Sequence, residues 1–446
     1  MKQSLKILAM ILVIAGVALA QANWRADNIT IRTEADLRQL AVLVNNGNDF
    51  FNRKITLANN IELVGGEWVP IGIGQTSFIG KFDGNGNTIS GLEGKQGMFE
   101  NVDWGGSISN LNLVVNVKGD QGIGGLAGRN LGFIYNCFVR GNITGNSTVG
   151  GLVGINSLDE SGKQVHGTIW NSGFISGTVS GNVVGGLVGT NLGTIGERSH
   201  AAGNVLVNEV LGGGLVGINI GVIERSYATG SVKGGAVVGG LVGANGVRTT
   251  MPALPFEDLS GFIVNSYAIG NVSGSDNVGG LVGINDIDSE ISFSYATVNV
   301  VSVEDAVGEL VGINVGRIGA SYALIGNIET LIGVREGTVS NSGLLTIEQM
   351  RRQSSFVGWD FSDSFWRISR GINNGFPHFR KSTATDQSFV VDWDFILIKG
   401  LYAFGFLCIL VGLYLWFSQK KKSKRGSLGI ATAILQSVCL GKEFSV

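Results

Sequence analysis

Through the middle of the chain, apolar residues alternate with glycine or polar residues over stretches of about four, each bounded by Gly or Asn. That period of two marks short strands, and the apolar spacing of a helix is missing. One stretch recurs seven times in close variants. It reads Gly-Gly-Leu-Ala-Gly-Arg-Asn130, then Gly-Gly-Leu-Val-Gly-Ile-Asn156, and returns in strings ending at Asn191, Asn219, Asn245, Asn285 and Asn314, the last with Glu309 for its second Gly. The strings start at Gly124, Gly150, Gly185, Gly213, Gly239, Gly279 and Gly308, so the shortest spacing is the period and the longer ones carry insertions. Each period holds two further strand candidates. One is a unit such as Ile223–Ala228, repeated at Ile263–Ala268, Ile291–Ala296 and Ile318–Ala323; the other is a Gly-x-Val piece, as at Gly230–Val232 and Gly270–Val272. Three short strands in a period this short fit one coil of a parallel β-helix better than a four-stranded propeller blade.

Stacked coils would set like residues above one another about every 4.8 Å. The string's Leu and Val then point inward, and its Gly residues supply positive φ at corners and close approach. The terminal Asn suits either a left-handed corner or an amide ladder between coils. Tyr227, Tyr267, Tyr295 and Tyr322 would form an aromatic column, with Phe138 and, after a one-residue slip, His200 in equivalent places. The predicted fold is all-β, a right-handed parallel β-helix with a short capping helix, followed by one C-terminal transmembrane helix.

Both ends of a solenoid need covering. Thr33-Glu-Ala-Asp36 reads as a capping box, and Leu37, Leu40, Ala41 and Val44 follow at helical spacing, which predicts a helix over Thr33–Asn45. Leu344–Gln353 is a second, shorter candidate, and the Trp-rich Phe356–Phe379 segment is expected to cover the last coil.

Composition adds the location. Met1–Ala20 reads as a signal peptide: Lys2 and Lys6, an apolar run, then Ala18-Leu19-Ala20 before Gln21. Gly400–Phe417 is an unbroken apolar run followed at once by Lys420, Lys421, Lys422, Lys424 and Arg425. That pattern marks a membrane span with a cytoplasmic C-terminal tail. The expected divisions are signal peptide 1–20, cap and lead-in coils 21–120, repeat array 121–343, closing segment 344–380, linker 381–394, transmembrane helix 395–418 and tail 419–446. Between Gln21 and Trp393 there are 23 Lys and Arg against 32 Asp and Glu, a net charge of −9. Such an acidic region argues against nucleic acid as a partner. Three Cys in the chain, one of them (Cys137) in this region, leave it no internal disulfide.

The Gly-Gly-Leu-Val-Gly-x-Asn string resembles the GLUG repeat of bacterial cell-surface proteins, which include large adhesins and regions outside the catalytic domain of immunoglobulin A-cleaving metallopeptidases. Trp68–Gly72 and Phe78–Ile89 resemble the lead-in coils of such proteins, and Trp359–Phe361, Trp366–Ile368 and Asn374–Pro377 their closing segment. The likeness spans about Ile29–Phe379. It implies a β-helix, surface exposure and an adhesive role, and supplies no catalytic residues.

Candidate chemistry is sparse. His166, His200 and His378 lack the spacing of a zinc peptidase, and no G-x-S-x-G elbow occurs. Gly122 and Gly124 imitate a nucleotide loop but open no helix. Asp286, Asp288 and Glu290 alternate as calcium ligands would, and Asp83–Asn87 resembles the start of a calcium loop, although a solvated loop and a tight turn are the simpler readings. Two insertions stand out, Ser157–Gly167 and Val247–Leu259. The second carries Met251, Leu254, Pro255 and Phe256, either as a binding element or as a cover for the coil's flank. The leading expectation is therefore a membrane-anchored scaffold for adhesion or for a protein or glycan ligand, with no catalysis of its own and no cofactor. The alternatives are a carbohydrate-active β-helix enzyme and a passive spacer.

Overall fold

A computed structural model describes residues 24–157, 167–248, 258–302, 306–362 and 365–380. The chain winds as a solenoid with three parallel sheets. Sheet 1 has twelve strands, from Asn28–Ile31 to Thr338–Ser340, in strict chain order. Sheet 2 has nine, from Phe99–Val102 to Ile332–Arg335, and sheet 3 has eighteen. Every strand of sheets 1 and 2 pairs with its counterpart one coil away, which is why all their rungs are parallel.

The seven strings occupy seven consecutive strands of sheet 2. Asn130, Asn156, Asn191, Asn219, Asn245, Asn285 and Asn314 stand directly above one another. Inside, the Leu column (Leu126, Leu152, Leu187, Leu215, Leu241, Leu281, Leu310) is completely buried. Sheet 1 contributes an Ile column from Ile108 to Ile318, and sheet 3 narrows to Ala201, Ala228, Ala268, Ala296 and Ala323. Burial of these stacked aliphatics is the main stabilising term.

The string glycines correct one expectation. None has positive φ. They are required because strands approach closely: a Cβ on Gly150 would lie 1.9 Å from the Val153 carbonyl oxygen, and one on Gly186 2.1 Å from that of Gly214. The left-handed corner falls instead after sheet 1, at Asn110, Asn136, Asn171 and Asn265, with φ between 46° and 54°. Asn tolerates that region better than other residues with a Cβ.

At the N-terminal end, helix α1 (Glu34–Asn45) closes the first coils. Thr33 is its N-cap, with a full capping box to Asp36, and Leu37, Leu40, Ala41 and Val44 are buried in the common core. Helix α2 is only Ile347–Met350, capped by Thr346 and Gln349, and a 3₁₀ turn (Gln353–Ser355) follows.

The closing segment differs from its expected place. It does not lie across the last coil; it runs back along the flank, over the Tyr column. The rings of His200, Tyr227, Tyr267 and Tyr295 stack at 4.8–5.1 Å, the spacing of the coils. Phe138 stands 6.2 Å from His200 across Gly173. This outward stripe of rings is too apolar to leave bare. Trp359, Trp366 and Phe379 cover it and build a second core with Phe356 and Phe376. Trp359 Nε1 donates to the Ala320 carbonyl at 2.7 Å, and Tyr295 Oη donates to the Pro377 carbonyl. At the last described residue of the strap, Arg198 donates to the Arg380 carbonyl at 3.1 Å. That point is beside Thr194–Gly196, the seventh of twelve sheet-1 strands.

Among the described residues no helix is long and apolar enough to cross a membrane. The expected signal peptide, linker, transmembrane helix and tail lie outside the described residues.

Candidate interaction ridge

The terminal amide of each string builds a ladder. Asn130 Nδ2 donates to Asn156 Oδ1 at 2.9 Å, and the pattern repeats through Asn191, Asn219, Asn245, Asn285 and Asn314 at 2.7–2.8 Å. All seven are fully buried. A buried amide needs every partner it has.

The second amide hydrogen sets the corner that follows. In a minimal coil, Asn130 clasps the glycine two residues on: Nδ2 donates to the Gly132 carbonyl, and Oδ1 accepts from Gly132 N. At the two long insertions the clasp persists. Asn156 holds Gly167, eleven residues on, at 2.9 Å, and Asn245 holds Gly261, sixteen residues on, at 3.0 Å. Each insertion thus leaves and returns through the same fixed point, and its length costs the coil little.

Backbone hydrogen bonds place every such corner on one ridge between sheets 2 and 1. Leu131 N bonds Val102 O, Ser157 N bonds Asn130 O, and the series continues through Leu192, Ile220, Gly246, Asp286, Val315 and Glu336. The points at which both insertions leave and rejoin the coil, and the Asp286–Ser289 turn, therefore lie along a single line. The long one starts as a hairpin, Val247–Arg248 antiparallel to Asp258–Leu259. Met251, Leu254, Pro255 and Phe256 lie outside the described residues, as does 158–166.

At its N-terminal end the same ridge carries Phe51, 58% exposed, and Trp104, 56% exposed. The Asp103–Gly105 turn packs close enough that a Cβ on Gly105 would meet both Ile79 and Phe51. Sequence reasoning missed these two aromatics. Their signal was a large ring beside Asp, Asn or Gly at a turn, where no core position is available.

Among the described residues the titratable groups do not converge. Glu290 pairs with Arg317 at 3.7 Å, while Asp286 accepts from Ile287 N, so these acids serve separate turns; no group of three His, Cys, Asp or Glu is placed to hold a metal ion. Asp83 closes a turn onto Asn85 N and pairs with Lys54 at 3.2 Å. Burial raises its carboxyl, but Asn110, Asn85 and Lys54 together hold it below the usual range. His200 sits in the ring column, and burial pushes its imidazole below the ordinary value. His378 is buried in the strap, and His166 lies outside the described residues. Burial pushes the Cys137 thiol up to about 12, so it is inert. Cys137 stands at the head of a buried hydroxyl column, Ser172, Ser199, Ser226, Ser266, Ser294 and Ser321, in which most members accept from the backbone N–H of the coil before.

No family model matches the chain. A segment of 90 residues is 36% identical to halomucin of Haloquadratum walsbyi, over 19% of this chain; the chain spans about 1% of that protein's length. A Bacteroides ovatus structure provisionally named an immunoglobulin A1 protease aligns over 80% of this chain and 93% of its own, at 21% identity and a TM-score of 0.43. A structure named IgA1 protease aligns over 81% of this chain and 25% of its own, at 17% identity and a TM-score of 0.44. One expectation is corrected here. The chain was expected to lack catalysis of its own; the solved structures it resembles carry the names of proteases, so that exclusion is withdrawn. The physical reason is that a solenoid fixes where side chains stand and leaves the chemistry of its loops open.

Proposed function

We propose that this chain is a membrane-anchored, extracytoplasmic interaction scaffold, a right-handed β-helix of the GLUG-repeat kind whose insertion-bearing ridge engages a protein or glycan partner. One observation carries the reading: the attachment points of both insertions and, among the described residues, the two strongly exposed aromatics share a single corner of the coil. In stacked repeats, insertions that collect on one face are commonly the binding face. A rigid rod holds such loops at fixed spacing, which lowers the ordering cost of binding. Exposed aromatic rings suit sugar faces and protein pockets alike. The acidic net charge of −9 between Gln21 and Trp393 fits a partner that is not nucleic acid.

The test is a glycan and protein array probed with the full chain, with immunoglobulin A1 among the proteins so that capture and cleavage are both read. Capture of a defined ligand that weakens at least tenfold when the ridge is altered supports the reading. Equal binding by the altered chain removes it.

A further inference from the structure

The closing strap is built as a unit apart from the solenoid. Its rings and the Tyr column form a hydrophobic cluster separate from the coil core. Its own short hairpin, Trp366–Ile368 against Pro377–Phe379, pairs with no strand of the coil among the described residues. The hydrogen bonds that tie it down run through side chains: Tyr322 Oη accepts from Val357 N at 3.2 Å, Trp359 Nε1 donates to the Ala320 carbonyl, and Trp366 Nε1 to Asn265 Oδ1. Units with separate cores open separately. The strap also meets the column in reverse order. It passes Tyr322 with Phe356, Tyr295 with Trp359, Tyr267 with Trp366 and Tyr227 with Phe379, and reaches Arg198 at Arg380. The chain has thus doubled back toward the N-terminal coils before it goes on past Arg380.

We propose that this strap is a force-released tether: tension on the chain beyond Arg380 peels it from the Tyr column while the solenoid stays wound. The inference takes its load from the anchored reading above, in which the chain beyond Arg380 leads to the membrane. A partner held at the N-terminal coils then draws Arg380 back toward the last coil. That direction folds the strap over itself, and its contacts break one at a time, in the order Arg380, Phe379, Trp366, Trp359, Phe356. A pull in the opposite direction loads the same contacts together. Packing contacts are short-ranged, and a gap of about 1 Å forfeits up to about half of their attraction. Parting them singly therefore takes less force than parting them at once. Release of the 35 residues 346–380 lengthens the connection by up to roughly 120 Å, at about 3.4 Å per residue. The ladders that bind coil to coil carry no load along this path until the strap is free, so the strap redocks on an unchanged rod when the tension falls.

The experiment stretches the full chain, in detergent micelles, between two handles in optical tweezers. Each handle is joined to an azide-bearing residue. One stands at position 382, just past the strap, and the other at position 116, where Asn116 is exposed on sheet 3 toward the N-terminal coils. The first step is expected at lower force than every later one, to add the length of the 35 residues 346–380, and to reverse on relaxation. Trp366→Ala is expected to lose that step and keep the later, coil-sized ones, which also show that its solenoid is folded. Moving the second handle to position 301, where Val301 is exposed on the same strand as Tyr295, loads the strap along its length and is expected to shift the first step to higher force. A first step of coil length, with no strap step before it, overturns the proposal. So does a strap step that comes at equal force from both handle positions, or one that Trp366→Ala leaves unchanged. The handles supply the load, so this result is independent of anchorage, which carbonate extraction of membranes tests by itself.

Discussion

The amide of Asn219 gives a hydrogen to Asn245 and receives one from Asn191, so its loss leaves two buried groups short of a partner. Asn219→Ala is expected to cost about 2–4 kcal/mol, the range for orphaning buried polar groups. Asn130→Ala, at the end of the ladder with one Asn neighbour, should cost about half; thermal melts of the two variants check this. His200 carries a pH dependence. Burial holds its folded value below the ordinary one, so as pH falls the unfolded chain takes up the proton first. Stability is therefore lost from about pH 6.5 downward, through the folded value. His200→Tyr, which matches the rest of the column, should flatten that loss in melts between pH 7 and 5. At this scale the sequence was half legible. The Asn positions were visible, but the two roles open to them, positive φ and an amide ladder, both favour Asn. Only the register shows that the string residues make a buried ladder without positive φ, while Asn110, Asn136 and Asn171 make the left-handed corner and a second, shorter ladder along it. The Ser column escaped because Ser is common and most of its hydroxyls bond a backbone group one coil away.

Elements were read well where the signal is local. Thr33 and Asp36 announce α1 by capping chemistry alone, and the Gly-bounded runs announce strands. The strap was misplaced because its position depends on a non-local fact. The Tyr column, assembled from one ring per coil, forms an apolar stripe outside the solenoid, and only the Trp-rich segment can cover it. Trp366 packs on Tyr267, Tyr295 and Phe379, and donates to Asn265 Oδ1 at 3.2 Å. Trp366→Ala should release the strap before the solenoid melts, at a cost of about 3–5 kcal/mol to strap docking. Limited proteolysis should then cut between Gln353 and Arg380 while the coil core survives. A variant cut no faster than wild type would mean that the strap is held by something other than its aromatic contact.

The whole molecule follows from the period. A short repeat with three strands left a solenoid as the best solution, and the seven strings do line up as neighbouring parallel strands. The ridge was legible only in part. The long spacings from Asn156 to Asn191 and from Asn245 to Asn285 reveal insertions, but not that they share one corner, since that needs the Asn–Gly clasp. Phe51 and Trp104 join the ridge through coils with no string at all. The account's central claim is that this ridge is the working face. The most direct measurement compares array binding of three full-length proteins. One is wild type. The second has Phe51→Ser, Trp104→Ser and residues 249–257 replaced by an Asn-Gly turn, which can close the Arg248–Asp258 pair. The third has Val114→Ser and Leu206→Ser on sheet 3. The account predicts that wild type and the sheet-3 variant bind the same ligand alike, while the ridge variant, equally stable, binds at least tenfold more weakly. A ridge variant that binds as wild type does, or a sheet-3 variant that alone loses the ligand, would contradict it.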